Sequence, residues 1–273
     1  MKIPSFADLI EVKSVDELKQ IVSFLTENEV EYKVLGWGAN QLIKNRPTFI
    51  YLKLDFEFDR NILNEIRPSY VLPASVSLAV LTSAASRLGL GGWEVFTGIP
   101  ASLGGAVFMN AGTGLGEIGP LVKKVRAITP VGTEKIYAAQ DLKFSYRENN
   151  FLGPGEIIVE VELSHNGYDD QVRQKITEYL KMRNQTQPLK ENTCGCMFKN
   201  YLSDKISCRA GQSIDIMGLK GFVKDSVQIS HTHANFLINL DDASYDDVVK
   251  VISLIKNELY LQYGIKFDVE FEF

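Results

Sequence analysis

The sequence predicts an α+β protein, on three observations. Helical spacing of apolar residues comes in separate capped blocks, at residues 14–30, 77–88 and 244–263. Strand-like runs follow one another at 122–129, 135–138 and 157–163. Between the second helix and these strands, residues 89–119 hold ten of the 21 glycines and only two charged residues, Glu94 and Glu117.

The elements follow in order. Ser14 and Glu17 have the S-x-x-E spacing of a capping box, and Leu18, Ile21, Val22, Leu25 and Val30 line one face of the helix that follows. Asn28-Glu29 ends it. Residues 32–35 and 48–54 read as strands on either side of the turn Gly36-Trp37-Gly38-Ala39-Asn40, so the chain opens as a small α+β unit. Ser77 caps a helix that runs to Leu88, with Gly89 as its C-terminal stop. Pro130-Val131-Gly132 turns the first of the three strands into the second. A polar helix over 169–182 carries Val172, Ile176 and Leu180 at four-residue spacing. Asn184-Gln185-Thr186-Gln187-Pro188 stops it and reads as a linker. A boundary is therefore expected at 188, giving a region 1–188 (parts about 1–56 and 57–188) and a domain 189–273. In that domain, residues 194–200 lead to a helix over 209–217 stopped at Gly218, then to strands 227–229 and 235–239. Ser244 caps a long helix with Val248, Ile252, Ile255 and Leu259 inward, and Gly264 ends it. Residues 266–273 read as a closing strand, a candidate to return to the first region.

The 273 residues are ample for a large core, and 45% hydrophobic with 23% charged residues is ordinary for a globular protein. A net charge of −5 and a pI near 5.4 exclude a general nucleic-acid binder. No apolar run is long enough to span a bilayer. The first residues carry charge where a signal peptide needs an apolar core. Three cysteines, an odd number, argue against a disulfide framework, and a cytoplasmic protein is expected.

Chemistry is less easily read from spacing. Gly36-x-Gly38 lacks the third glycine of a dinucleotide-binding fingerprint, position 41 being Gln, and no phosphate-binding G-x-x-x-x-G-K-[ST] loop exists. The glycine-dense stretch admits two readings: bare main chain laid against a phosphate-bearing ligand, or a pair of turns closing a sheet. Cys194-x-Cys196 with His231-x-His233 would make a zinc donor set. Close cysteine pairs in zinc sites usually have about two to four residues between them, whereas Cys194 and Cys196 have one, so no metal is expected.

The ordered strings Gly98-Ile99-Pro100, Gly104-Gly105-Ala106 and Met109-Asn110-Ala111-Gly112 closely resemble the flavin-cradling loop of the UDP-N-acetylenolpyruvoylglucosamine reductase family. The turn at Gly36, Tyr146-Arg147, Gly195-Cys196-Met197-Phe198-Lys199-Asn200, Gly218-Leu219-Lys220-Gly221, the run 233–239 and Glu270 match the same family in order. The resemblance covers nearly the whole chain and implies a vanillyl-alcohol-oxidase type of FAD-binding fold with a C-terminal substrate-binding domain. It implies NADPH-dependent reduction of UDP-N-acetylglucosamine enolpyruvate to UDP-N-acetylmuramate, a peptidoglycan precursor, by a monomer with no nucleic-acid or membrane partner. NADPH has no separate site on this reading and enters the substrate pocket.

By the same resemblance, Gly36, Gly38, Ala39 and Asn40 wrap the FAD diphosphate. Gly98, Ile99, Pro100, Gly104, Gly105, Asn110, Ala111 and Gly112 cradle the cofactor. Tyr146, Lys199, Asn200 and His233 contact substrate, Arg147 clamps the substrate carboxylate, and Glu270 assists beside it. Cys196 stands where the family usually has the serine that protonates the carbanion. A thiol, with a reference pKa near ~8.5, is an easier donor than an alcohol. Each residue also has a plainer reading: a surface arginine, a solvated glutamate, a small buried cysteine, a structural histidine. Ala39 replaces a serine, Pro73-Ala74-Ser75 replaces Gly-Ala-Gly, Thr113-Gly114 replaces Ala-Tyr, and no Asn-Thr-x-x-x-x-Gly-Gly segment precedes residue 8, so FAD binding weaker than usual is expected. The tyrosine loop of one branch is missing, which matches the shorter, second type. Two other functions compete: an FAD-dependent oxidase of the same fold, and a non-catalytic sugar-nucleotide binding protein.

Overall fold

Serines start the principal helices, as the sequence requires. In the structure, a computed structural model that describes Met1 and residues 3–273, the helices are α1 (Val15–Glu27), α2 (Leu78–Leu88), α3 (Leu103–Phe108), α4 (Val172–Thr186), α5 (Ala210–Ile216) and α6 (Tyr245–Tyr263). Ser14, Ser77, Ser102 and Ser244 cap α1, α2, α3 and α6, each accepting a backbone N–H of the first turn. The expected box at α1 is half-formed: the Glu17 carboxylate accepts from Lys13 N at 2.7 Å instead of reaching Ser14. The full box occurs at α6, between Ser244 and Asp247. Gly89 and Gly264 end α2 and α6 at φ 65° and 66°, where a side chain would be strained.

The chain divides into two compact units, residues 8–37 with 48–180, and residues 1–7 with 38–47 and 181–273. This differs from the expected cut at 188. Residues 184–186 continue α4 as its last turn, and the division falls inside that helix.

The larger unit holds a three-stranded and a four-stranded sheet besides two short hairpins. In the first, Ile50–Leu54 lies between Leu9–Val12 and Tyr32–Val34, all parallel. The strand Leu9–Val12 has no sequence signal of its own: four residues, one of them fully buried. Leu18, Val22 and Leu25 of α1 close a core with Val12 and Leu52. The second sheet is antiparallel, in the order Ser69–Pro73, Ile157–Ser164, Val122–Ile128, Glu134–Ala138. Its strand Ile157–Ser164 serves both cores. A register shift between Ile158 and Glu160 resets the side-chain phase. Ile157 and Val159 thereby join the α1 core, while Val161 and Leu163 join one built around Tyr70, Trp93, Phe96 and Leu103. The Trp93 indole N–H donates to Ser164 O at 2.7 Å.

In the smaller unit the sheet order is Thr193–Cys196, Phe236–Asn239, Val227–Ile229, Val223–Lys224, all antiparallel. Val248, Val251, Ile252, Ile255 and Leu259 of α6 pack in its core with Leu42, Phe267 and Phe271. The expected closing strand is not a regular strand. Its backbone is split between two partners: Glu270 N donates to Met197 O and Lys199 N to Asp268 O, after which Glu272 N donates to Asn40 O and Leu42 N to Glu272 O. Neither ladder grows beyond an isolated bridge, and the segment stays within the smaller unit. Among the described residues, no helix is long and apolar enough to cross a membrane.

Candidate functional site

In the larger unit the glycine stretch folds around α3. Two glycines in this six-residue helix oppose helix formation, each by about 1 kcal/mol relative to alanine. Ser102 offsets part of that cost by accepting from Gly105 N at 3.3 Å, and Leu103, Ala106 and Val107 are buried. Leu103 N donates to Val76 O and Gly104 N to Ala74 O, at 2.7 and 2.8 Å. A Cβ on Gly104 would lie 2.7 Å from that of Ala74. Packing of α3 on the turn that follows the strand Ser69–Pro73 therefore accounts for Gly104 and for a small residue at 74.

Gly36 and Gly105 behave differently. A Cβ on either would come within 3.1 and 3.3 Å of Ser102 Oγ. Two stretches distant in sequence thus leave main chain bare around one hydroxyl, in a place that side chains would roof over. That is the surface a dinucleotide diphosphate requires, and the residues fit such a group. Ser102 was not among the expected site residues. Its signal, a serine just before the apolar set 103, 106 and 107, is masked by the glycines. Gly98 takes φ 72°, and the neighbouring Ile99 packs on the core while Pro100 is exposed.

Arg147 ends a two-residue loop, since Ser145 pairs with Glu148 and Phe144 with Asn149. Its φ is 58°, a region that costs a bulky residue about 1–2 kcal/mol and that glycine fills freely. Its Nη2 donates to Gly112 O at 3.0 Å, and the guanidinium lies 5.1 Å from the centre of the half-buried Tyr146 ring. Ala111 is half-buried beside Gly112, which pairs with Glu117 in a short hairpin. Asn110 is buried, and its amide is committed to Glu117, Ser145 and Gly119.

In the smaller unit, Cys196 ends the strand Thr193–Cys196 opposite Phe236, after Gly195 at φ 87° opens a bulge. The next residue, Met197, accepts from Glu270 N. Glu270 is half-buried, whereas the neighbouring acids Asp268 and Glu272 are exposed. Asn40 is tied to the same segment: its Nδ2 donates to Glu270 O at 3.0 Å. Gly38 has φ 67° with no atom within 4 Å of a Cβ built there, and Ala39 is half-buried.

Lys199 is fixed through its backbone to Asp268, and Asn200 Oδ1 accepts from Ala210 N at the start of α5. His233 packs edge-on to Phe236, with ring centres 4.8 Å apart, and its Nδ1 accepts from Asn235 N. Burial, aided by the charge of Lys220, holds its pKa below the usual value. That geometry accounts for the imidazole as a neutral acceptor in its own loop. Burial pushes the Cys194 thiol up to about 11, so it stays protonated at neutral pH. Among the described residues, no three His, Cys, Asp or Glu side chains are grouped to hold a metal.

Comparison with known proteins agrees with this arrangement along the chain. Residues 7–136 match a family model described as FAD binding domain, and residues 187–273 match UDP-N-acetylenolpyruvoylglucosamine reductase, C-terminal domain. A reductase of that name from Halalkalibacterium halodurans is 33% identical over 99% of this chain and 89% of its own. One from Chlamydia pneumoniae is 32% identical over 96% and 83%. The crystal structure of the reductase from Thermus caldophilus superposes with a TM-score of 0.81 at 31% identity, covering 99% of this chain and 93% of that one. By sequence and by backbone, the chain belongs to the UDP-N-acetylenolpyruvoylglucosamine reductase family.

Proposed function

We infer that this protein is the FAD- and NADPH-dependent oxidoreductase that reduces UDP-N-acetylglucosamine enolpyruvate to UDP-N-acetylmuramate for peptidoglycan synthesis. The observation that carries this reading is agreement with the family over 99% of the chain in both sequence and backbone. It disfavours an oxidase of the same fold and a binding protein without catalysis.

The chemistry that bound FAD supplies is hydride relay, from NADPH to the enolpyruvyl β-carbon. Main chain of Gly36, Gly98, Ile99, Gly105, Ala111 and Gly112 would hold the cofactor. Hydride addition drives charge onto the substrate carboxylate. Arg147 stabilises that charge through a guanidinium, the one side chain with a rigid fork of donors for a carboxylate. The support for this role is its backbone: a residue held at φ 58° against its own preference, with its guanidinium anchored at Gly112, is kept for its side chain. Cys196 donates the proton that completes reduction at the neighbouring carbon, and Glu270 assists at the carboxylate. Lys199 is assigned to the substrate's diphosphate or sugar. An odd count of three cysteines suits a reducing compartment better than a disulfide framework, and the reaction is assigned to the cytoplasm.

The test is spectroscopic. Purified protein supplied with FAD should show flavin absorbance, bleach anaerobically with NADPH, and regain colour on addition of UDP-N-acetylglucosamine enolpyruvate, with UDP-N-acetylmuramate as product. Bleached protein that the substrate leaves unchanged would overturn the assignment.

A further inference from the structure

Asn110 lies just beyond α3, 1% exposed, with φ 42°, a conformation asparagine tolerates better than most residues. Its Nδ2 donates to Glu117 Oε2 and to Ser145 O, each at 2.8 Å, and its Oδ1 accepts from Gly119 N at 3.0 Å. Gly119 admits the amide, since a Cβ there would sit 2.9 Å from Oδ1. Two arms of this network lead to Arg147. Ser145 immediately precedes the Tyr146-Arg147 loop. Glu117 is the hairpin partner of Gly112, whose carbonyl receives the Arg147 guanidinium. Asn110 thus holds both the backbone from which Arg147 projects and the acceptor on which its side chain rests.

Resting on the role of Arg147 inferred above, we propose that Asn110 is a positioning residue that aims the Arg147 guanidinium through Ser145 and Gly112. Two donors and one acceptor in so short a side chain are an amide's alone. Aspartate at 110 keeps the bond from Gly119 N but turns the other two into acceptor–acceptor contacts, one of them between carboxylates. Displacing a catalytic group by about 1 Å can cost ~100-fold in rate, and the two hairpins have no cause to stay in register once those contacts repel.

The experiment compares Asn110→Asp and Asn110→Gly holoenzymes with wild type, glycine keeping the positive φ while deleting the amide. In single-turnover measurements, reoxidation of the reduced flavin by substrate should slow by about 10- to 100-fold, while reduction by NADPH changes by less than about twofold. Hydrogen exchange of the backbone over 144–149 should accelerate. In an Arg147→Lys background neither substitution should slow reoxidation further. Losses that multiply in the double variants, equal losses in both half-reactions, or unchanged exchange over 144–149 would overturn the proposal. Where Asn110→Asp yields too little folded protein, Asn110→Gly carries the same comparison. Arg147→Lys enzyme that reoxidises at the wild-type rate with Asn110 intact would remove Arg147 from the chemistry and the proposal with it, a failure read without any change at 110.

Discussion

Arg147 Nη2 rests 3.0 Å from the carbonyl oxygen of Gly112, which joins the loop at 146–147 to the last glycine of the string beginning at Gly98. The loop backbone wants glycine at 147, and the side chain that sits there is the largest cation available.

Arg147→Gly therefore separates stability from function. The variant removes about 1–2 kcal/mol of backbone strain, so its unfolding midpoint should stay level or rise despite the lost hydrogen bond. Its turnover should fall by about 10²- to 10³-fold, the usual cost of one donor to a developing oxyanion. Urea unfolding and steady-state kinetics on one preparation decide the matter. A parallel fall in both would assign Arg147 to structure.

Cys196→Ala should leave the flavin reducible by NADPH but block its reoxidation by substrate, with a loss of about 10²- to 10⁴-fold in that step. Cys196→Ser should retain it. Stopped-flow traces of the two half-reactions give the answer, and normal turnover in the alanine variant would exclude the thiol as acid.

Alkaline pH should weaken the fold through Cys194. Burial raises its folded pKa to about 11, against roughly 8.5–9 for an unperturbed thiol. Below pH 9 both states keep the proton. Above it the unfolded chain releases the proton first, so stability declines between about pH 9 and 11, by roughly 2–3 kcal/mol in all. Cys194→Ala should shallow that decline in urea melts at about pH 8 and 10.5. An identical slope would mean the thiol ionises in the native protein as it does in the unfolded one.

Gly104→Ala should destabilise the larger unit by about 1–3 kcal/mol, because the new methyl meets Ala74 Cβ at 2.7 Å. Ala74→Gly in the same chain should recover part of the loss. Thermal unfolding of the two single variants and the double variant measures the coupling, and additive effects would mean that α3 shifts to make room.

Much of this was legible where local chemistry and tertiary packing agree. Ser14, Ser77 and Ser244 announce α1, α2 and α6, and Gly89 and Gly264 close the last two. Elsewhere packing overrides the local signal. Ser69–Pro73 alternates correctly, with Tyr70 and Leu72 inward, but it ends in a proline that reads as a break. α3 carries two glycines, and its stability comes from Ser102 and the buried face of Leu103, Ala106 and Val107. The family strings identified the chain correctly as family sequence. They did not distinguish residues whose polar groups the fold itself uses. Asn40, Asn110 and Asn200 all spend side-chain hydrogen bonds within the protein, on Glu270, on Ser145 and Glu117, and on α5. Hydrogen-bond partners so far apart in sequence leave no trace in spacing.

The discontinuity of the smaller unit bears on biosynthesis. Leu42 belongs to its core and is held by Glu272, and Asn40 is held by Glu270 and Glu272, so residues made early wait for residues 270–272 before they can settle. The larger unit has its strands in hand by residue 164, whereas the smaller unit needs residues 270–272 before it can close. Loss of residues 270–272 would therefore strand a segment near the start of the chain, more than 200 residues away.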